Sequence, residues 1–209
     1  NGKRSAPRTT TEAINSYITD MLALEQHIEV AIRAQVKEFR NKPPVLVNAL
    51  ETAHLTVREH IEALKDLAQM RDAGTARDVA EAVKRTGSVM AGFGAAVVDL
   101  VRNEKLPKDL RDDYTAFSLA TVSYGMLLST AKSLDDDYVA ALAEQHMKDY
   151  TKVVMTLNNI LPSAVIAGLK EEGLPASEAQ LPAIADSRRL GAMSVASIDN
   201  DVSMASTIV

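Results

Sequence analysis

Residues 50–64 read LETAHLTVREHIEAL. Leu50, Val57, Ile61 and Leu64 recur at the three- and four-residue spacing of a helix that buries one face. The same stretch sets Glu51 three residues before His54 and places Glu59 beside His60. Carboxylate and imidazole three apart share a helix face, and helical bundles hold iron or manganese in that way. Whether this segment holds metal depends on what the helices facing it carry.

Helical period continues on both sides. Upstream, Thr9 and Glu12 form a capping-box pattern. Ile14, Ile18, Met21, Glu25, Ile28, Ile32, Gln35 and Phe39 follow at alternating spacings of four and three, a helix of roughly 30 residues. Pro43-Pro44 opens the second helix, whose expected stripe is Val47, Leu50, His54, Val57, Ile61, Leu64 and Ala68. A less regular stretch follows, in which Gly87, Gly92 and Gly94 suit close helix packing and match no nucleotide-binding fingerprint. A third long helix opens at LPKDL, with Leu110, Tyr114, Phe117, Thr121, Tyr124 and Leu128 expected inward. Ser133 and Asp135 to Asp137 start a fourth, with Val139, Leu142, His146, Tyr150, Val153, Leu157 and Ile160 as its stripe. A short link joins the first pair, and the long middle segment permits a crossover to the second. The expected fold is therefore all-α: a ferritin-like four-helix bundle with a helical crossover segment and an extended C-terminal tail.

Three divisions follow: a basic arm at 1–8, the bundle at 9–161, and a short helix with tail at 162–209. The tail lacks periodicity and has no core of its own. It is expected to dock on a neighbouring copy, giving a homo-oligomer or larger assembly.

Composition narrows the function classes. The 209-residue chain is 46% apolar and 24% charged with net charge -5, a globular balance and a poor one for nucleic acid. Cysteine is absent, which excludes disulfides, thiolate catalysis and iron–sulfur ligation. Trp is absent and aromatics are 4%, too few for a base-stacking platform. The most apolar run, Ser88 to Val98, is too short to span a bilayer, and no signal peptide is visible. Cytoplasmic residence and no membrane span are the expectations.

Four local pieces resemble the bacterial YciE/YciF-type stress proteins of the ferritin-like superfamily. DMLALEQHI (Asp20 to Ile28) is similar to that family's D-x-Y-x-A-E-K-Q-L, and REHIEAL (Arg58 to Leu64) to its R-G-H-V-E-R-L. MAGFGAAVVDLV (Met90 to Val101) resembles its middle-segment helix, and SYGMLLSTAKSL (Ser123 to Leu134) its S-Y-G-T-L. The resemblance runs from Thr11 to Leu161 and implies a dinuclear metal bundle. Carried over residue by residue, it keeps Glu25 on the first helix and His60 on the second, but puts Thr56 where a carboxylate belongs. On the third helix Phe117 and Ala120 replace both carboxylates. On the fourth, Asp149 stands for a Glu while Lys148 takes a neighbouring acidic position. The dinuclear site is expected to be lost, because facing carboxylates must neutralise two divalent ions.

His54, on the expected stripe, reads as a core histidine bonded to Glu25 or a backbone carbonyl. His27 and His60, at stripe edges, read as partly exposed. If any metal is retained, the candidates are Glu25, His54, His60, His146 and Asp149, with iron, manganese or zinc in a mononuclear site. No cofactor and no catalytic residue are expected. The function expected is a non-catalytic structural or assembly subunit joined through its terminal extensions. The alternatives are a metal-binding stress or storage protein, and a module receiving a small apolar ligand or partner helix.

Overall fold

The computed structural model describes residues 9–71 and 105–177, which form four helices. They are α1 (Thr10–Glu38), α2 (Pro44–Met70), α3 (Lys105–Ser133) and α4 (Asp137–Glu171). The described residues contain no strand. Basic arm, middle segment and tail from 178 onward lie outside them, and so do the expectations placed there.

Local chemistry sets the helix ends. The Thr9 hydroxyl accepts from the Glu12 amide at 3.2 Å while Glu12 Oε2 accepts from the Thr9 amide at 2.7 Å, closing the capping box. Pro44 starts α2 where a missing amide hydrogen is harmless. Between α3 and α4, Asp135 takes a left-handed φ of 56°. The Asp136 amide reaches back to Ala131 O at 2.9 Å and the Asp135 amide to Lys132 O at 3.4 Å, a Schellman closure. Asp136 then caps α4 by accepting from the Val139 amide at 3.1 Å.

Side-chain bonds fix the topology. Gln35 near the end of α1 donates to Asp113 near the start of α3. Arg71 at the end of α2 bonds Asn15 near the start of α1 and Asp136 at the start of α4. Lys42, in the first turn region, pairs with Glu171 at the end of α4. So α1 runs antiparallel to α2 and α3, and α4 antiparallel to both of these as well. The chain leaves α2 at one end of the bundle and re-enters α3 at the other. α1 packs on α2 and α3, and α4 packs on the same two helices, so α1–α4 and α2–α3 are diagonals. This is an all-α four-helix bundle.

The inward stripes correct two of the expected ones. α2 buries Leu46, Leu50, Ala53, Val57, His60, Leu64 and Leu67, and α3 buries Leu110, Asp113, Phe117, Ala120, Tyr124, Leu127 and Ala131. Hydropathy had favoured the neighbouring edge of each helix, through Val47 and His54 and through Tyr114, Thr121 and Leu128. Packing favours the edge with Ala53, Ala120 and Ala131, where small side chains let backbones approach. α4 also continues past Leu161, through Pro162, to Glu171. The short separate helix expected after Leu161 is the last part of α4. By length and composition alone α4 could cross a membrane. Its stripe from Val139 to Ile160 is nevertheless part of the bundle core.

Candidate functional site

At the centre of the bundle sits a polar cluster drawn from all four helices. Glu25 of α1 is fully buried. A lone carboxylate there would cost several kcal/mol, and three donors answer it. The Tyr124 hydroxyl of α3 donates to Oε1 at 2.6 Å, and the Tyr150 hydroxyl of α4 donates to Oε2 in a short contact. His60 Nδ1 of α2 lies 3.4 Å from Oε1. Two phenols and an imidazole thus converge on one carboxylate, two of them from the helices beside α1 and Tyr150 from α4 across the diagonal.

His146 forms the outer layer. Since Tyr124 gives its proton to Glu25, His146 Nδ1 at 2.9 Å must be the protonated nitrogen, donating to the phenol oxygen. Burial, then the neighbouring His60, pushes His146 down to about 3, so the ring is neutral at ordinary pH. Its ring stacks on His60 with centroids 3.7 Å apart and planes within 7°. Burial first, and then the Glu25 charge, hold both Tyr124 and Tyr150 well above the usual phenol range. The hydroxyls therefore stay protonated and serve as donors. Phe117, with its centroid 5.0 Å from that of Tyr150, closes the cluster on the α3 side.

One nitrogen is left over. His60 Nε2 is buried without a hydrogen-bond partner among the described residues and lies 3.9 Å from Asp149 Oδ2. Burial works against the Asp149 charge, but Lys152 and Gln145 outweigh it and hold this carboxyl below its usual range. Its side chain is 26% exposed, so this edge of the cluster reaches solvent.

Of the five candidates, Glu25, His60, His146 and Asp149 come together and His54 does not. His54 Nε2 meets Glu29 Oε1 at 3.1 Å on the outer flank of α1 and α2. The roles expected for the two histidines are therefore exchanged: His60 is the core residue beside Glu25, and His54 is the half-buried one. The cause is the rotation of the α2 stripe described above. A mononuclear centre that uses His54 together with Glu25 has no geometric basis, since His54 bonds Glu29 instead. Among the described residues, no three His, Cys, Asp or Glu side chains are disposed to hold one metal ion. Tyr124 and Tyr150 lay on the expected stripes without a role. The signal was present: a buried phenol needs an acceptor, and Glu25 was the charged residue on the α1 stripe.

A second polar pair lies toward the α3 start. Gln35 Nε2 donates to Asp113 Oδ1 at 2.9 Å, while Asp113 Oδ2 and Gln35 Oε1 are buried without a hydrogen-bond partner among the described residues. Burial pushes the Asp113 carboxyl up to about 8 despite the Gln35 bond, helped by Asp109 and Asp112. On the outer surface, Gln26, Glu29, Val30, Arg58, Ile61, Glu62 and Lys65 line a groove of about 340 Å³. Its largely charged walls do not suit an apolar ligand.

Comparison with known proteins bears on the fold. A family model described as "Domain of unknown function (DUF892)" matches residues 11–170. A crystal structure of a protein from Xanthomonas campestris pv. campestris superposes with a TM-score of 0.63 at 17% identity. The match covers 79% of this chain and 99% of that one. Identity at this level speaks for shared architecture alone. No match was found among curated proteins.

Proposed function

This chain belongs to the DUF892 family, and we propose that it is a non-catalytic structural or assembly subunit built on a degenerate ferritin-like bundle. Its termini, the basic arm and the tail from Leu174, serve as connectors to other copies. On this reading it resembles the YciE/YciF-type stress proteins of the ferritin-like superfamily, with most metal ligands replaced.

The observation that carries this reading is the occupancy of Glu25. Both of its oxygens accept hydrogen bonds from phenols that burial keeps protonated. A dinuclear centre does not fit these residues. Phe117 and Ala120 are fully buried where bridging carboxylates would have to stand, and an apolar side chain neutralises no cation. What remains is a hydrogen-bonded plug that ties four helices together and specifies their register. Such a plug makes the bundle a rigid body, which suits a building block.

One observation favours a second reading, a mononuclear metal-binding protein. His60 Nε2 and Asp149 Oδ2 form an open edge of the cluster, and a single iron, manganese or zinc ion could use those two atoms with water. Elemental analysis of the purified full-length protein separates the two. The structural reading expects well under one metal per chain, unchanged by Asp149→Ala. Stoichiometric metal lost on that substitution would replace it with the metal-binding reading. For the connectors, deleting Leu174 to Val209 should lower the assembly mass by light scattering; an unchanged mass would remove the tail from the account.

A further inference from the structure

Two of the five tyrosines stand apart from the rest. Tyr124 and Tyr150 are fully buried, and each donates its hydroxyl to the Glu25 carboxylate. Tyr114 and Tyr138 are 39% and 62% exposed, where water is the acceptor for a phenol proton. Trp and Cys are absent. Tyrosine is therefore the side chain here that most readily gives up a single electron, and the core holds two with a base at hand.

A phenol gives up an electron readily only if its proton leaves as well, because the radical cation is a strong acid. The path for that proton is one hydrogen bond: the Tyr124 hydroxyl lies 2.6 Å from Glu25 Oε1. When Tyr124 loses an electron its O–H bond breaks, and an O–H bond forms on Glu25. The products are a neutral phenoxyl radical and a neutral carboxylic acid. Burial favours this change, since a carboxylate in a dry core is costly and the oxidised cluster no longer carries that charge. Burial and the Glu25 charge also hold both phenols well above their usual range, against loss of the proton alone. The two routes are opposed. Proton loss to solvent adds a second negative charge to the core; electron loss with the proton kept removes the first.

The surroundings suit a radical that persists. After oxidation the Tyr124 oxygen accepts from His146 Nδ1, now 2.9 Å away, and from the new Glu25 acid. Tyr150 still donates to the other Glu25 oxygen. Tyr124 and Tyr150 are 0% exposed, so nothing in solvent touches the radical oxygen or couples to it. The electron needs no such contact. One helix, about 10–12 Å across with its side chains, separates the cluster from solvent, and electrons tunnel that far. On the α2–α4 side the stacked rings of His60 and His146 extend the cluster toward Asp149, whose side chain is 26% exposed.

We propose that Tyr124, Glu25 and Tyr150 form a redox site that stores one oxidising equivalent as a shielded tyrosyl radical on Tyr124. The reactant is a one-electron oxidant at the surface, such as a peroxyl radical. It takes the electron, becomes a peroxide anion and is protonated by water. A small one-electron reductant such as ascorbate returns the electron, and Glu25 returns the proton. The reaction is stoichiometric, needs no metal and stands apart from the assembly reading.

Electron paramagnetic resonance on chelator-treated full-length protein, oxidised by photoexcited ruthenium tris(bipyridine) with persulfate, tests it. The wild type should give a neutral tyrosyl radical whose hydrogen-bond proton couplings, from Glu25 and His146, vanish in deuterated water. Its lifetime should exceed that in the Tyr124→Phe, Tyr150→Phe double variant at least about tenfold. Tyr124→Phe alone should move the radical to Tyr150 and remove the His146 coupling. Glu25→Gln, which takes up no proton, should abolish the long-lived signal. The wild-type oxidation potential should stay level from pH 7 to 9, because the proton stays on Glu25 among His60, His146 and Asp149. An exposed tyrosine becomes easier to oxidise over that range. A wild-type radical without exchangeable couplings would overturn the proposal, as would a potential that falls with pH in the manner of an exposed tyrosine. So would a lifetime matched by the double variant. The first two results are read on the wild type alone, so an unstable variant leaves the test intact.

Discussion

Two glutamate–histidine pairs join α1 to α2, their glutamates one helical turn apart, and they differ in almost everything else. Glu25 and His60 are buried at the centre, where Tyr124 and Tyr150 complete the carboxylate and His146 stacks on the imidazole. Glu29 and His54 sit at the flank, with Arg33 at 3.7 Å and solvent close by. The chemistry of the paired groups is the same; the surroundings decide what each pair is for. The flanking pair contributes as a surface ion pair does, about 0–1 kcal/mol. The central pair is one contact in a network whose members all depend on one another.

The largest way to break that contrast is Glu25→Ala. It strands two phenols and an imidazole in a dry core, and should destabilise the fold by about 4 kcal/mol or more. Glu29→Ala should cost under about 1 kcal/mol. Urea denaturation of the two variants checks the ratio, and comparable losses would mean the central network is not cooperative.

Asp113 sharpens the point by being a buried carboxylate without such a network. Its folded pKa of about 8 lies above the ordinary 3.8. Between those values the unfolded chain is ionised at this position while the folded chain keeps its proton. Wild-type stability therefore falls as pH rises from about 4 to about 8 on account of this group, and stays at the lower level above. Asp113→Asn removes that slope, so its advantage should grow across the same window by several kcal/mol, up to about 6 kcal/mol. His146 works oppositely: neutral in the fold down to about 3, it loses stability as pH falls from 6.5. Thermal midpoints of Asp113→Asn and His146→Gln from pH 3 to 9 separate the two slopes.

Smaller effects come from the phenols. Tyr150→Phe should cost about 2 kcal/mol, a hydrogen bond to a charged acceptor, and Tyr124→Phe somewhat more because His146 also loses its acceptor. Smallest is His54→Gln, within about 0.5 kcal/mol of wild type by the same denaturation assay.

The contrast also explains what could be read in the sequence. The four helices and the capping box were legible because apolar period and Thr9-x-x-Glu12 are local signals. Glu25 was legible as a buried charge, since it interrupts an apolar stripe. The choice between His54 and His60 was not. They lie six residues apart on opposite edges of one stripe, and the edge is chosen by alanines that hydropathy undervalues. The same rotation hid Asp113 behind Tyr114. Tyr124 and Tyr150 were placed inward correctly, but their convergence on Glu25 depends on the heights of three helices, which no local pattern encodes.

The claim that Glu25 is a sealed structural carboxylate meets its most direct test in thermal unfolding with added metal. A ligand that binds only the folded chain raises the midpoint in proportion to the logarithm of its concentration. Mn(II), Zn(II) and anaerobic Fe(II), each titrated to millimolar levels at pH 7, should leave the wild-type and Glu25→Gln midpoints unmoved. A concentration-dependent rise in the wild type that disappears in Glu25→Gln would contradict the account and make Glu25 a metal ligand.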